Sequence, residues 1–135
     1  MMRPIGGVDR YRLIAAFLLL LASAATASAQ GLFPSVWQTQ RGALLKVLWV
    51  DAAGNFSGVF ITSPAAAPCP AVPYNVVGSI RGNRVIFQTY RNWTPDCNVT
   101  TSWIGRFASP TTIVARGTAT FAGRRVRGTE VFQRL

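Results

Sequence analysis

Beyond about residue 30 the sequence is a succession of short β-rich runs separated by turn residues, and it shows no helical periodicity. Runs rich in β-branched and aromatic residues and bounded by Gly, Pro, Asn or Asp are typical of strands. Eight strands are predicted, over residues 36–41, 43–51, 56–62, 74–80, 84–92, 100–108, 111–121 and 125–135. Consecutive strands with short connections favour an all-β fold, an eight-stranded antiparallel up-and-down β-barrel, because closure removes both sheet edges. A β-sandwich is the alternative.

Alternation within these runs predicts which side chains point into the barrel, because successive residues of a strand face opposite ways. Lys46 must face water, which sets the parity of the second strand. The residues expected to point inward are Ala43, Leu45, Val47 and Trp49; Phe56, Gly58, Phe60 and Thr62; Thr101, Trp103, Gly105 and Phe107; and Gly128, Glu130 and Phe132. An interior of eight strands is either filled by side chains or holds one small ligand.

The N-terminal segment has the pattern of a secretory signal peptide. Arg3, Arg10 and Arg12 precede an apolar run over residues 13–22, and Ala27-Ser28-Ala29 is a typical cleavage pattern. We therefore predict a signal peptide over residues 1–29, a barrel domain over 30–135, and a secreted or periplasmic location. A membrane anchor is the alternative, but the apolar run is too short to span a bilayer.

Cys69 and Cys97 are the only cysteines in the chain. They fall in the loops after the third and fifth predicted strands, which lie at the same rim of an up-and-down barrel. Export permits a disulfide, so this pair is predicted to be bonded. Two free thiols are the alternative.

Charge and residue usage narrow the classes of function. The chain has 14 Lys and Arg against 4 Asp and Glu, and it has no His, the commonest general base and metal ligand. There is no close carboxylate pair and no phosphate-binding loop, so we predict a protein that is not an enzyme and holds no metal. The basic surface leaves open a cationic exported protein that acts on envelope polymers or on a protein partner.

Four stretches resemble, in chain order, the avidin and streptavidin family of biotin-binding barrels. They lie at residues 36–43, 54–60, 100–105 and 128–134 and read VWQTQRGA, GNFSGVF, TTSWIG and GTEVFQR. The resemblance implies an eight-stranded barrel that binds biotin as its ligand, without a cofactor, nucleic acid or membrane span. It also implies a homo-oligomer, for which the outward positions Val59, Ile61 and Ile104 offer apolar surface.

The resemblance assigns roles to several residues. Thr101 would contact the ring sulfur of the ligand, and Trp103 would form an aromatic wall. Glu130 stands where the family has Asp or Asn and would accept one ureido N–H. Thr62 would accept the second N–H, and Thr39, in place of an Asn, would donate to the ureido oxygen.

The chain departs from the family at other ligand positions. Ala43 replaces a Ser and Phe60 replaces a Tyr, which removes two donors to the ureido oxygen, and Val99 replaces a Ser at the carboxylate end. The aromatic lid is either Tyr90 or Trp93. These departures predict weakened affinity for biotin or a related cyclic urea, and they leave open a more apolar small ligand in the same barrel.

Overall fold

The computed structural model describes residues 34–91, 97–121 and 123–135. They form eight antiparallel strands: β1 (Ser35–Thr39), β2 (Leu44–Val50), β3 (Asn55–Ile61), β4 (Pro73–Arg81), β5 (Arg84–Tyr90), β6 (Thr101–Ser109), β7 (Thr112–Phe121) and β8 (Arg124–Arg134). Each strand pairs with its neighbour in sequence, and β1 pairs with β8, so that the sheet closes into a barrel. The predicted fold class is confirmed. The predicted signal segment lies outside the described residues.

The barrel interior is an apolar core built from alternate residues of the strands. The largest fully buried side chains are Trp37, Leu45, Val47, Val76, Val85, Phe87, Ile113 and Phe132. The indole of Trp37 donates from Nε1 to Ser35 Oγ at 2.9 Å and meets Phe107 edge-on at 6.0 Å. Burial of one large apolar side chain stabilises the fold by about 1.5–3 kcal/mol, so this core contributes much of the stability.

In β2, one side chain that was predicted to point into the barrel, that of Trp49, points outward instead. A β-bulge lies between Val47 and Trp49, so that Val47 pairs with Gly58 and Trp49 pairs with Ser57. The extra residue reverses the alternation beyond it, because a shift of one residue moves every following side chain to the other face. Trp49 is therefore 53% exposed instead of buried, and Val50 packs against the core in its place.

The loops after β1, β3, β5 and β7 lie at one end of the barrel, as the up-and-down order requires. One of them is the turn between β1 and β2, in which Gly42 adopts a φ of +89°, a conformation that favours glycine. Hydrogen bonds from Gly42 N to Thr39 O at 3.0 Å and from Thr39 N to Ala43 O at 2.9 Å close this turn. In the described part of the chain, no helix is long and apolar enough to cross a membrane.

Candidate ligand-binding site

A disulfide braces the open end of the barrel. Cys69, in the loop after β3, is bonded to Cys97, in the loop after β5, with the Cα atoms 6.0 Å apart. The predicted pairing is confirmed. The carbonyl oxygens of both cysteines accept a hydrogen bond of 2.6 Å, that of Cys69 from Thr62 Oγ1 and that of Cys97 from Tyr74 Oη. The rim is thus tied to β4 and to the end of β3 by more than the covalent bond.

Tyr74 is the rim residue whose titration the surroundings alter most clearly. Burial raises the pKa of its phenol above the ordinary value of 10.0, because the charged phenolate is disfavoured where water is excluded. The positive charge of Arg91 opposes this effect and lowers the pKa. The phenol therefore remains a hydrogen-bond donor to Cys97 O throughout the physiological range.

A cavity of about 280 Å³ opens at this end, against the inner faces of β6, β7 and β8. Its lining residues are Arg41, Thr101, Trp103, Gly117, Ala119, Val126, Arg127, Gly128, Thr129 and Glu130. Three residues predicted for the site, Thr101, Trp103 and Glu130, therefore share one cavity. Its volume lies just below the roughly 300–1,000 Å³ typical of small-ligand pockets.

Two glycines on neighbouring strands create the space. Gly117 of β7 pairs with Trp103 on one side and with Gly128 of β8 on the other. A Cβ at Gly117 would lie 2.9 Å from the Trp103 ring, so the indole rests where a side chain would otherwise project. A Cβ at Gly128 would meet nothing within 4 Å, and this empty space is part of the cavity.

Aromatic rings form the floor beneath this space. Trp103 stacks on Phe87 with ring centroids 5.6 Å apart and an interplanar angle of 9°, and it meets Phe132 edge-on at 5.6 Å. Phe60 packs against the same indole at 6.0 Å. These contacts hold the Trp103 ring in one orientation, since aromatic pairs of this geometry contribute about 0.5–1.5 kcal/mol each. The indole can therefore serve as a rigid apolar surface for a ligand.

The carboxylate of Glu130 lies at the edge of the cavity, with its side chain 18% exposed. Arg41 approaches it, with Nε 3.9 Å from Oε1, but the Arg41 side chain is 83% exposed. An ion pair of this length with one exposed partner contributes about 0–1 kcal/mol. Arg41 thus reduces the cost of burying the charge while leaving Glu130 able to accept hydrogen bonds from a ligand.

The residues predicted on the β1 to β3 side are buried outside the cavity lining. Thr39, Ala43 and Phe60 are all buried, and they do not line the cavity. The hydroxyl oxygen of Thr39 accepts a hydrogen bond from Ala43 N at 3.0 Å, which leaves its proton available for donation. Thr39 belongs to the turn that also carries Arg41, which does line the cavity.

The other predicted residues are not brought into the cavity. The Thr62 hydroxyl donates to Cys69 O and accepts from Val72 N at 2.7 Å, so it serves the loop between β3 and β4. Val99 is half-buried beside Cys97, to whose carbonyl it donates at 3.0 Å. Tyr90 has the opposite parity to the buried Phe87 and Thr89 and so lies on the outer side of β5. Trp93 lies outside the described residues.

Sequence reasoning missed the β7 wall and the residues at the rim. Gly117 and Ala119 line the cavity because they have the same parity as the buried Ile113 and Ala115. Alternation along the seventh strand predicts that both residues face inward. They were not assigned to the site because glycine and alanine side chains carry no group that binds a polar ligand atom. Arg41 and Arg127 were treated as part of a general basic surface, although both reach the cavity.

A closed up-and-down barrel with a cavity at its open end defines a small-ligand-binding β-barrel. The avidin family model matches residues 27–125, and the chain belongs to the avidin family. The chain is similar to apo shwanavidin, with 28% identity and a TM-score of 0.67 over 75% of this chain and 94% of that chain. It is also similar to rhizavidin in complex with biotin, with 28% identity and a TM-score of 0.66 over 75% and 91%.

A bradavidin2–biotin complex is similar in fold, with 24% identity and a TM-score of 0.66 over 76% of this chain and 96% of that chain. No curated protein matches this chain.

Proposed function

We propose that this chain is an exported binding protein, not an enzyme, for biotin or a closely related cyclic urea. The observation that carries the proposal is the shared cavity of Thr101, Trp103 and Glu130 in a member of the avidin family. Rhizavidin, a similar protein, has been solved as a biotin complex, which supports the choice of ligand. The N-terminal pattern and the disulfide support export.

The chemistry of a cyclic urea suits the groups that line the cavity together with the Thr39 hydroxyl, in the turn that carries Arg41. Such a ring offers two N–H donors and one carbonyl acceptor. Glu130 would accept from one N–H, and the free proton of Thr39 would reach the carbonyl oxygen. Trp103 would cover the apolar part of the two fused rings of biotin, and the Thr101 hydroxyl would approach the ring sulfur.

Weakened affinity follows from the missing donors. Ala43 and Phe60 carry no side-chain hydroxyl, so the ureido oxygen would have Thr39 as its single side-chain donor from this group. Leaving a buried polar atom without a partner costs about 1–3 kcal/mol. Two missing donors are therefore expected to weaken binding by several orders of magnitude relative to a site that retains both.

A more apolar ligand in the same cavity is the second candidate. Its support is the composition of the β7 and β8 walls, where Gly117, Ala119, Val126 and Gly128 offer no polar side-chain atom. Phe60 adds apolar surface below, in contact with Trp103. Such a ligand would use Trp103 as its main contact and would not require Glu130.

A homo-oligomer is proposed on the basis of exposed aliphatic side chains on β4, β5 and β6. Ile86 and Ile104 are paired across adjacent strands, Ile104 is 54% exposed, and Val77 is exposed nearby. Val59 and Ile61, which also suggested an interface, are half-buried. Light scattering should detect a species larger than one chain, and a monomer at every concentration tested would contradict this part of the proposal.

Titration calorimetry with biotin tests the ligand assignment. Wild-type protein is expected to bind weakly, and the double variant Ala43→Ser, Phe60→Tyr should bind more tightly because it restores two donors. If neither protein binds biotin at millimolar concentration, the biotin assignment fails. Tight binding of an apolar probe by the same wild-type sample would then favour the second candidate.

A further inference from the structure

A concave surface lies on the outside of the barrel, toward the end opposite the cavity. It has a volume of about 510 Å³, and its lining includes Val36 of β1, Lys46 and Leu48 of β2, and Arg134 and Leu135 at the end of β8. β1 begins at this end of the barrel, and β2 and β8 finish there, whereas the loops after β1 and β7 lie at the cavity end. The surface and the cavity are therefore at opposite ends of the barrel and on opposite sides of its wall.

A β-bulge exposes two large apolar side chains next to each other at this surface. Strict alternation would turn one of two consecutive residues inward, but the bulge between Val47 and Trp49 leaves both Leu48 and Trp49 outside. Leu48 is 60% exposed, and Trp49 is 53% exposed. Exposed apolar surface of this kind marks interaction sites, because its removal from water is favourable.

The neighbouring strands extend this apolar surface. Val36 of β1 pairs with Lys46 of β2, and the backbone N of Leu135 donates to Val36 O at 2.9 Å. Leu135 is 71% exposed. The outer positions of β8, β1 and β2 therefore form a strip of Leu135, Val36 and Leu48, with Trp49 next to it in β2. We call Val36, Lys46, Leu48, Trp49 and Leu135 the tryptophan face.

Positive charges lie within and beside the tryptophan face. Lys46 is half-buried within it, and Arg134 borders it in the same concave surface. Arg81 adds a third cation at this end of the barrel, where it donates to a backbone carbonyl of the β2–β3 turn. Among the described acidic residues, Glu130 lies in the cavity, and the carboxylate of Asp51 accepts hydrogen bonds from the backbone of its own turn. The face therefore combines apolar side chains with a net positive charge.

We propose that the tryptophan face docks the protein on an anionic lipid bilayer, with Leu48 and Trp49 among the headgroups and Lys46 and Arg134 against the lipid phosphates. Tryptophan suits this depth, because its ring is apolar and its N–H reaches a polar partner. Lysine suits it as well, because its apolar stem lies along the barrel wall while its charge reaches the headgroups. The cavity mouth at the other end then faces away from the bilayer, so a small ligand can still enter.

Charge and position argue against a second copy of the chain as the occupant. Two copies docked by the same face would bring Lys46 and Arg134 against their counterparts, and like charges across an interface are unfavourable. The exposed aliphatic side chains proposed for the homo-oligomer lie on β4, β5 and β6, a different part of the barrel wall. Anionic headgroups, in contrast, complement the charge of the tryptophan face, and the acyl boundary beneath them accepts its apolar strip.

Sedimentation with lipid vesicles tests the proposal. Protein purified after export should bind vesicles of equal parts phosphatidylcholine and phosphatidylglycerol, and binding should weaken as salt rises, because exposed charges are screened. Binding to pure phosphatidylcholine should be about tenfold weaker or less, because the attraction of the cations is lost. The double variant Leu48→Ser, Trp49→Ser should bind the anionic vesicles about tenfold more weakly than the wild type. Both proteins carry the same N-terminal segment, so that segment cannot account for a difference between them.

Arg125→Gln is the matched control for Lys46→Gln, because each variant removes one positive charge. Lys46→Gln should weaken binding to anionic vesicles about fivefold, whereas Arg125→Gln, near the start of β8 at the cavity end, should leave it unchanged. Equal losses in these two variants, wild-type binding by Leu48→Ser, Trp49→Ser, or no binding at low salt would each overturn the proposal. Self-association that this double variant abolishes, without vesicle binding by the wild type, would instead assign the face to a second copy and overturn it too. Since biotin titration measures binding in the inner cavity, its failure would leave this result intact.

Discussion

Glu130 illustrates how much a single side chain defines the site. Among the described residues it is the only carboxylate in the cavity, and it lies beside Trp103 and opposite the small residues of β7. Its side chain is mostly buried, and within the described chain it forms one ion pair, with Arg41, which is 3.9 Å long and has an exposed partner. A carboxylate in this position gains most from a ligand that donates a hydrogen bond to it, because charged acceptors form the stronger bonds.

Replacement of Glu130 tests that role. Glu130→Ala should weaken biotin binding by about 1.5–3 kcal/mol, the contribution of a hydrogen bond to a charged group. Arg41→Ala is the control and should change the free energy of binding by less than about 1 kcal/mol, because the exposed ion pair contributes little. The measurement is the Kd for biotin of each variant, determined by calorimetry and compared with that of the wild type. An equal loss in both would mean that Glu130 acts only as the partner of Arg41.

Tyr74 provides a prediction about pH. Its folded-state pKa is raised above 10.0 by burial, so its contribution to stability is fully present below that value and is lost as pH rises through the folded-state pKa. The urea midpoint of the wild type should therefore fall above pH 10.0 more steeply than that of Tyr74→Phe. Below that pH the variant should be less stable by about 0.5–1.5 kcal/mol, because the bond to Cys97 O is lost. Parallel pH curves for both proteins would contradict this account.

Prediction from sequence succeeded where strand alternation alone determines which side chains are buried. Alternation placed Trp103 and Phe132 in the buried interior, and both are core residues. It failed at Trp49, because a β-bulge leaves no reliable mark in sequence and reverses the parity beyond it. Thr62 was assigned to the ligand, but its hydroxyl is engaged with the backbone of its own loop, a local contact that strand parity does not reveal.

Among the structural elements, the two rim loops depend most on their covalent link. The bond between Cys69 and Cys97 spans a sequence separation of 28 residues and holds together loops that follow different strands. The hydrogen bonds from Thr62 and Tyr74 to the cysteine carbonyls depend on the loops staying in place. The order of the loops in an up-and-down barrel was sufficient to predict this pairing from sequence.

Removal of the disulfide should lower the free energy of unfolding while the barrel still folds. Cys69→Ser, Cys97→Ser should reduce the free energy of unfolding by about 3–4 kcal/mol, the loop-closure entropy expected for a loop of this length. Chemical denaturation of the oxidised wild type and of the variant measures the difference. A loss below about 1 kcal/mol would show that the hydrogen bonds at the rim hold the loops without the disulfide.

At the scale of the whole molecule, the barrel separates two surfaces of different chemistry on the same strands. The inner faces of β6, β7 and β8 carry small residues around Trp103, whereas the outer faces of β5, β6 and β7 carry Arg84, Arg106 and Arg116. Closure of the sheet makes this separation possible, since alternate residues of one strand serve opposite sides. The wall of the inner cavity formed by β7 and Gly128 could not be predicted from sequence, because it depends on where Gly117 and Gly128 meet across the sheet.

The affinity of Gly128→Val for biotin tests most directly whether this cavity is the binding site. A side chain at this position would enter empty space and disturb no neighbour within 4 Å, so the fold should be retained. Thr118→Val, on the outer side of β7, is the matched control. Gly128→Val should weaken biotin binding about tenfold or more, as expected for an overfilled site, whereas the control should bind as the wild type does. Unchanged binding by a folded Gly128→Val protein would contradict the assignment of this cavity as the binding site.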